Sequence, residues 1–433
     1  MLVLAALAAA VVAAAFWPVH FPLDDAYITL HNARSLIEGV DPLYGQNPLV
    51  GATSPVHLLA VTTMGLALAL PNASLVVSVV SVAAYAAGLW RWGWKIAVIG
   101  LTVATVPLQL FNGLETPMAM AAVTWAILWM DDRKLPVLAG LMPFIRPELG
   151  LLSAILMGRD VYLRRDWRPV AVSAMVALPL VAWCYWATGH VLPNTVAAKI
   201  AFFHDEKTFF QGLESIVASA HDALITPLLF AAPFLVRRPG GRALLLFLAG
   251  WMLSVALTFS DAMWANYGRY WAIAVPVLCY GLPRLGQWPM LVVALLSMLF
   301  FQLTTKEHDP WPAMTAAAKQ LPAGSTVLIH DAGEIAYANP PLKLVDVVGL
   351  KTPSSAEIMA ESNVRACQWT KALDRIATDS HAQYAVVLND PFWGCIATNL
   401  RDAGWTLTPV FSDPDGFSIY KIDKRHMLFP RAF

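Results

Sequence analysis

The chain is expected to fold as an all-α domain embedded in a membrane, followed by a small α/β domain outside it. Composition is the first observation: of 433 residues, 58% are hydrophobic and only 13% are charged, whereas a soluble globular chain carries roughly a quarter charged residues. Mean hydropathy is +0.57. The second is the alternation, up to Thr304, of apolar stretches with short basic turns. The third is a change after Thr304, where the sequence turns more polar and strand-like runs alternate with helical ones. The expected domains are therefore residues 1–304 in the membrane and 305–433 outside it.

The charges orient these elements. Net charge is zero, yet the turns Arg91–Lys95, Asp131–Lys134, Arg159–Arg168, Arg237–Arg242 and Arg284 hold 12 Lys or Arg against 4 acids. The opposite side, up to residue 304, holds 4 basic residues (Arg34, Lys199, Lys207 and Arg269) and 10 acids. That asymmetry places the basic turns and the N-terminus in the cytoplasm. The first apolar stretch has no positive n-region, and Phe16-Trp17 is no small-residue cleavage signal, so it reads as a retained span.

The chain then runs through Phe21–Pro55, where Asp24 and Asp25 stand just beyond the first span and His31, Asn32, Arg34, Glu38 and Asp41 follow. Carboxylates near hydrocarbon are costly and point to function, although a solvated loop would also carry them. Residues 55–70 are apolar, but a crossing there would invert every later basic turn, so they are expected to lie on the outer face. Spans follow near 73–91, 95–111 and 116–130. Residues 136–158 are bracketed at both ends by basic residues of the cytoplasmic side, with Arg146-Pro147-Glu148 in the middle. Two half-helices meeting at that apex resolve the geometry, and a broken helix at depth belongs where it lines a cavity. Further spans are expected near 169–188, 222–236, 243–260, 269–281 and 287–304, with an amphipathic outer loop at 189–221. In all, about 11 transmembrane segments are expected.

In the outer domain, TVLIH, KLVDVV, AQYAVVLN, TLTPVF and FSIYKI are the strand candidates, with helices near 311–320, 363–378 and 396–403. Cys184 and Cys279 fall in spans, where apolar packing suits them. Cys367 and Cys395 fall outside and can pair if that compartment oxidises thiols.

Several short motifs together resemble a family of polytopic glycosyltransferases of the GT-C class, which use polyprenyl-phosphate sugars as donors. Leu23-Asp24-Asp25-Ala26-Tyr27-Ile28-Thr29-Leu30 resembles the opening motif of the family's first extracytoplasmic loop, which carries the catalytic acid. Gly51-Ala52-Thr53-Ser54-Pro55 resembles its G-x-T-S segment, Asn112-Gly113-Leu114-Glu115-Thr116 its G-x-E-T turn, and Arg146-Pro147-Glu148 its R-P-E apex. Leu192-Pro193-Asn194-Thr195 with Lys199 resembles its L-P-N-T-x-x-x-K loop, and Asp331-Ala332-Gly333-Glu334-Ile335 the D-A-G-x-I that opens its outer domain. Within the family, the terminal arabinofuranosyltransferase branch looks most similar. His57 stands where the family commonly has an aromatic residue, usually Trp, and the loop at 39–50 is short.

The resemblance implies transfer of a single sugar, with D-arabinofuranose as the expected one, from a polyprenyl-phosphate donor to an extracytoplasmic glycan or a surface protein such as a pilin. The setting is a bacterial inner membrane, with the site facing the periplasm. Such transfer needs a base at the acceptor hydroxyl and cations at the leaving phosphate. Asp24 is the first candidate base and Asp25 the second; Asp24 also suits the N-cap of the helix that follows. Lys199, Arg146, Arg269, Arg34 and His31 are the phosphate candidates, although Arg146 can instead pair with Glu148 or Glu115. Glu115, Asn194, Tyr27, Tyr267 and His57 are the sugar or acceptor candidates. No cofactor is assigned; a divalent cation is compatible with scattered oxygen ligands. No P-loop or G-x-G-x-x-G occurs, which argues against nucleotide-driven transport and a dinucleotide. Membrane lipid is an expected partner and nucleic acid is not. A flippase for lipid-linked sugars and a non-enzymatic assembly factor are the rival readings.

Overall fold

The computed structural model describes residues 2–103, 105–203, 208–258, 268–282, 287–304, 311–362, 365, 367–413 and 416–424. The helices up to Thr188 are α1 (Leu2–Phe16), α2 (Asp24–Glu38), α3 (Pro55–Gly65), α4 (Leu70–Trp90), α5 (Trp94–Thr102), α6 (Val106–Leu110), α7 (Thr116–Leu128), α8 (Leu135–Ile145), α9 (Leu149–Arg164) and α10 (Arg168–Thr188). Then come α11 (Thr195–Phe202), α12 (Phe209–Asp222), α13 (Thr226–Leu229) and α14 (Gly241–Thr258). A 3₁₀ turn, Arg269–Ile273, runs into the helix Ala274–Gly281, and the helix Gln287–Thr304 follows.

Among the described residues, three helices (α4, α10 and α14) are long and apolar enough to cross a membrane; α12 with Thr226–Arg237, bent by 112°, makes a fourth if that pair is one span. The expected number, about 11, is therefore not reached by length. Hydropathy located apolar stretches but not helix ends. The stretch at 116–130 yields a helix of 13 residues, and that at 269–281 a 3₁₀ turn and a helix of 8. Prolines at the first positions of α6, α7 and α13 restart the helix each time.

Two local expectations take shape here. Helix α3 has 11 residues; at 1.5 Å rise it covers only about half of a ~30 Å hydrocarbon core. It begins where Ser54 Oγ accepts the His57 backbone N–H, with Pro55 in the first turn. Residues 135–164 fold as a broken hairpin. Helix α8 ends at Ile145, Arg146 is extended (φ −153°, ψ 136°), and α9 starts at Leu149. The halves pack side by side, with Ser153 Oγ donating to the Ala139 carbonyl at 2.8 Å.

After residue 310 all five expected strands form: β1 (Thr326–Ile329), β2 (Lys343–Asp346), β3 (Tyr384–Leu388), β4 (Trp405–Ser412) and β5 (Phe417–Lys424). Their order is β2-β1-β3-β5-β4; β2, β1 and β3 run parallel, and β5 pairs antiparallel with both β3 and β4. The expected helices appear as Trp311–Ala318, Thr370–Asp379 and Cys395–Asp402, the second starting later than expected. Glu334–Tyr337 and Pro353–Ser362 are additional. Cys367 and Cys395 are joined in a disulfide, while Cys184 and Cys279 are free and buried.

The sheet is docked, not tethered. The Leu344 N–H on edge strand β2 donates to the Leu43 carbonyl at 2.9 Å, and Tyr44 donates its hydroxyl to the Ala332 carbonyl at 2.8 Å. Ile28, Leu43, Tyr44, Ala198 and Phe202 belong to the same apolar core as the strands. This contact holds the first half of α2 and one face of α11 against the sheet domain, and the candidate site lies where they meet.

Candidate active site

The two adjacent aspartates point to different tasks. Asp24 does not cap α2, whose N-cap is Leu23. Its Oδ2 accepts the Gly333 N–H at 2.8 Å and its Oδ1 the Glu334 N–H at 2.7 Å, so it caps the helix Glu334–Tyr337 from across the interface. Gly333 is required by this approach, because a Cβ there would lie 2.0 Å from the Asp24 carbonyl oxygen. Burial and the neighbouring Asp331 carboxylate push the Asp24 carboxyl well above the usual range, against the pull of the two N–H donors.

Asp25 faces the other way. Its Oδ2 lies 2.9 Å from Arg269 Nη1, and the side chain keeps 28% of its surface exposed. It lines a narrow cleft with Thr29, Thr53, Glu115, Lys199 and Arg269. Gly268, in the left-handed region at φ 67°, turns the chain into the 3₁₀ segment that presents Arg269. Arg146 pairs with both expected partners, Glu148 at 2.9 Å and Glu115 at 3.3 Å, and its guanidinium lies 4.8 Å from the Tyr270 ring centroid.

Lys199, on α11, borders two spaces at once. One is this cleft. The other is a cavity of about 310 Å³ walled by Leu151, Leu192, Val196, Ile200, Trp251 and Val255, and also lined by Thr53, Arg146, Glu148 and Tyr270. Thr53 and Lys199 line both. An apolar channel that meets cations beside a carboxylate-bearing cleft suits an amphiphile with an anionic head.

Other candidates are not brought to this place. His31 is buried, with Nε2 3.1 Å from Asp41 Oδ2, and Arg34 donates to the Tyr337 carbonyl at 2.7 Å while its guanidinium lies 4.3 Å from that ring centroid. Neither lines the cleft or the cavity. The Tyr27 hydroxyl is within 2.7 Å of His20 Nδ1 and accepts the Phe21 N–H. Asn194 is committed on both sides: Oδ1 accepts the Gly51 N–H at 3.1 Å and Nδ2 donates to the Leu350 carbonyl at 3.0 Å. It ties the cleft wall to the sheet domain and lines neither the cleft nor the cavity. His57 is buried on α3, and neither ring nitrogen has a hydrogen-bond partner among the described residues. Burial lowers its pKa to about 4, against the pull of Glu115. Tyr267 lies outside the described residues.

A buried knot went unforeseen. Lys351 Nζ lies 3.0 Å from Asp41 Oδ2 and donates to Asn32 Oδ1 at 2.7 Å, with both charged side chains fully buried. No spacing in the sequence announces it, because Lys351 is over 300 residues from the other two; its separation from Asn32 is 319. Among the described residues, no group of three or more His, Cys, Asp or Glu side chains is placed to hold a metal ion.

Comparison with known proteins agrees with this architecture. The chain is similar to the crystal structure of ArnT from Cupriavidus metallidurans bound to undecaprenyl phosphate, with a TM-score of 0.52, 15% identity and 97% of each chain covered. The apo structure of the same protein matches with a TM-score of 0.52 and 14% identity, again over 97% of each chain. The fold is thus of the general GT-C type. Residues 303–427 match a family described as a domain of unknown function, DUF8728. A search of curated protein sequences gives no match.

Proposed function

We propose that this protein is a glycosyltransferase that moves one sugar from a polyprenyl-phosphate donor to an extracytoplasmic acceptor, at a bacterial inner membrane with the cleft facing the periplasm. One observation carries the reading: Lys199 borders both the apolar cavity and the cleft that holds Asp25 and Arg269. The polyprenyl chain occupies the cavity, its phosphate sits among Lys199, Arg269 and Arg146, and the sugar lies in the cleft. The likeness in fold to a protein crystallised with undecaprenyl phosphate supports the donor class. D-Arabinofuranose is the sugar suggested by the motifs, and a glycan or a surface protein is the acceptor.

Asp25 is the base in this reading, and Asp24 holds the interface. Asp25 takes the proton of the acceptor hydroxyl, whose oxygen bonds to the anomeric carbon as the carbon–oxygen bond to phosphate breaks. The bonding pair leaves with the phosphate, and the surrounding cations stabilise the added charge. A phosphate leaving group needs little help from an acid, so one carboxylate suffices. A single displacement of this kind inverts the anomeric centre. The test is to incubate the purified protein with radiolabelled polyprenyl-phosphate sugars, arabinofuranose included, and candidate acceptors. Labelled product supports the reading, whereas donor binding without any product would favour a flippase.

A further inference from the structure

We propose that an aromatic clamp, locked by the Cys367–Cys395 disulfide, positions Lys199, so that phosphate binding depends on the redox state of this pair. The inference rests on the reading of Lys199 as a phosphate ligand. Helix α11 carries Lys199 and, three residues on, the fully buried Phe202. The Phe202 ring stacks on Trp369, with centroids 4.4 Å apart and planes at 25°, and on Trp393 at 5.7 Å and 27°. Phe203 lies parallel to Phe392, at 5.8 Å and 10°. His330, beside β1, stacks against Trp393 at 4.1 Å and 8°.

The clamp has two jaws from two separate loops. Trp369 stands two residues after Cys367 and Trp393 two before Cys395, and the disulfide links these loops across a separation of 28 residues. The Cys367 backbone is in the left-handed region at φ 63°, and its carbonyl accepts from Asn399 Nδ2 at 3.1 Å. The covalent link therefore sets the spacing of the rings that grip the end of α11. Lys199 is only half-buried and has to hold its place between two cavities, so a shift of α11 moves the cation away from the phosphate. Trp369, Trp393 and Phe202 are positioning residues here; none of them lines the cleft or the cavity.

A dithiol such as dithiothreitol would open the lock. Two electrons and two protons pass from the reductant to the disulfide, giving the Cys367 and Cys395 thiols and the cyclic disulfide of the reagent. The jaws are then joined only by packing and by the hydrogen bonds of Asn399 with the Cys367 carbonyl and the Thr370 hydroxyl.

Undecaprenyl phosphate is the probe, and the full-length protein is measured before and after reduction, with thiol labelling to verify that the pair has opened. Reduction is expected to weaken binding roughly tenfold, the scale of losing a stacked aromatic contact. The Cys367→Ser/Cys395→Ser double variant is expected to bind at the reduced level and to ignore the reagent. With the disulfide intact, Trp369→Ala should raise the KM for donor and also lower kcat, because a displaced Lys199 serves the leaving phosphate less well, and Trp369→Phe should restore both; a merely structural loss would lower the amount of active protein without changing KM. Unchanged binding after verified reduction overturns this proposal alone. Failure of the oxidised wild type to bind the probe overturns the functional reading as well.

Discussion

Asp24 Oδ2 accepts the backbone N–H of Gly333 at 2.8 Å, which joins the first turn of α2 to a helix 309 residues further along the chain. With the Glu334 N–H on the other oxygen, this carboxylate satisfies two donors in a buried place. Its neighbour Asp25, on the same turn, is left to the cleft. The division of labour between the two follows from where each side chain points along one helical turn.

Asp24→Asn should therefore destabilise the protein. An amide offers one oxygen, so one of the two N–H donors would face an NH₂ group and lose its partner, at a cost of about 1–3 kcal/mol. Gly333→Ala should be at least as harmful, because its Cβ would meet the Asp24 carbonyl oxygen at 2.0 Å. Thermal unfolding of both variants in detergent checks this; wild-type midpoints would contradict it.

The Lys351–Asp41 pair predicts a larger effect. Lys351→Met keeps much of the stem that packs against Gly51 but leaves Asp41 buried without its lysine. Removing one partner of a buried pair costs about 3–5 kcal/mol. Lys351→Met combined with Asp41→Asn should regain part of that loss, and a double-mutant cycle measures how much.

His57 predicts a pH dependence. Its folded pKa is lowered by burial to about 4, below the unfolded value near 6.5. The unfolded chain thus binds more protons between these values. Stability is intact above about pH 6.5 and falls as pH drops through that window, by on the order of 3 kcal/mol at pH 4. His57→Phe should flatten this slope, as read from unfolding midpoints between pH 7 and pH 4.

Some of this was legible in the sequence and some was not. Arg146-Pro147-Glu148 announced the broken hairpin because a proline and two opposite charges inside an apolar run leave few alternatives. The strands were legible from short apolar runs separated by polar turns, and the motif that contains Lys199 located the cation that borders both cavities. Helix lengths were not legible, since hydropathy is blind to where Pro117 or Gly268 resets the backbone. Nor was the different placement of Asp24 and Asp25: both suit the chemistry, and the partners of Asp24, Gly333 and Glu334, lie on another part of the fold. Asn194 and His31 carried the right chemistry for a site, yet both are committed to holding it together.

Lys199→Ala should weaken undecaprenyl phosphate binding as well as turnover, because the cation lies at the junction of cavity and cleft. A charged hydrogen bond is worth about 1.5–3 kcal/mol, or roughly 10- to 150-fold in affinity. Arg34→Ala, outside both spaces, should leave that affinity unchanged. Equal losses in the two variants would argue against the phosphate assignment.

The central claim is that Asp25, and not Asp24, takes the acceptor proton. The most direct test is single-turnover product formation by folded Asp25→Asn protein at saturating donor, beside Asp24→Asn protein selected for its folded fraction. Asp25→Asn should bind donor and lose roughly 10²–10⁴-fold in rate, the range of general base catalysis, while folded Asp24→Asn stays within a few-fold of wild type. Near wild-type turnover in Asp25→Asn, with the loss falling on Asp24→Asn instead, would contradict the account.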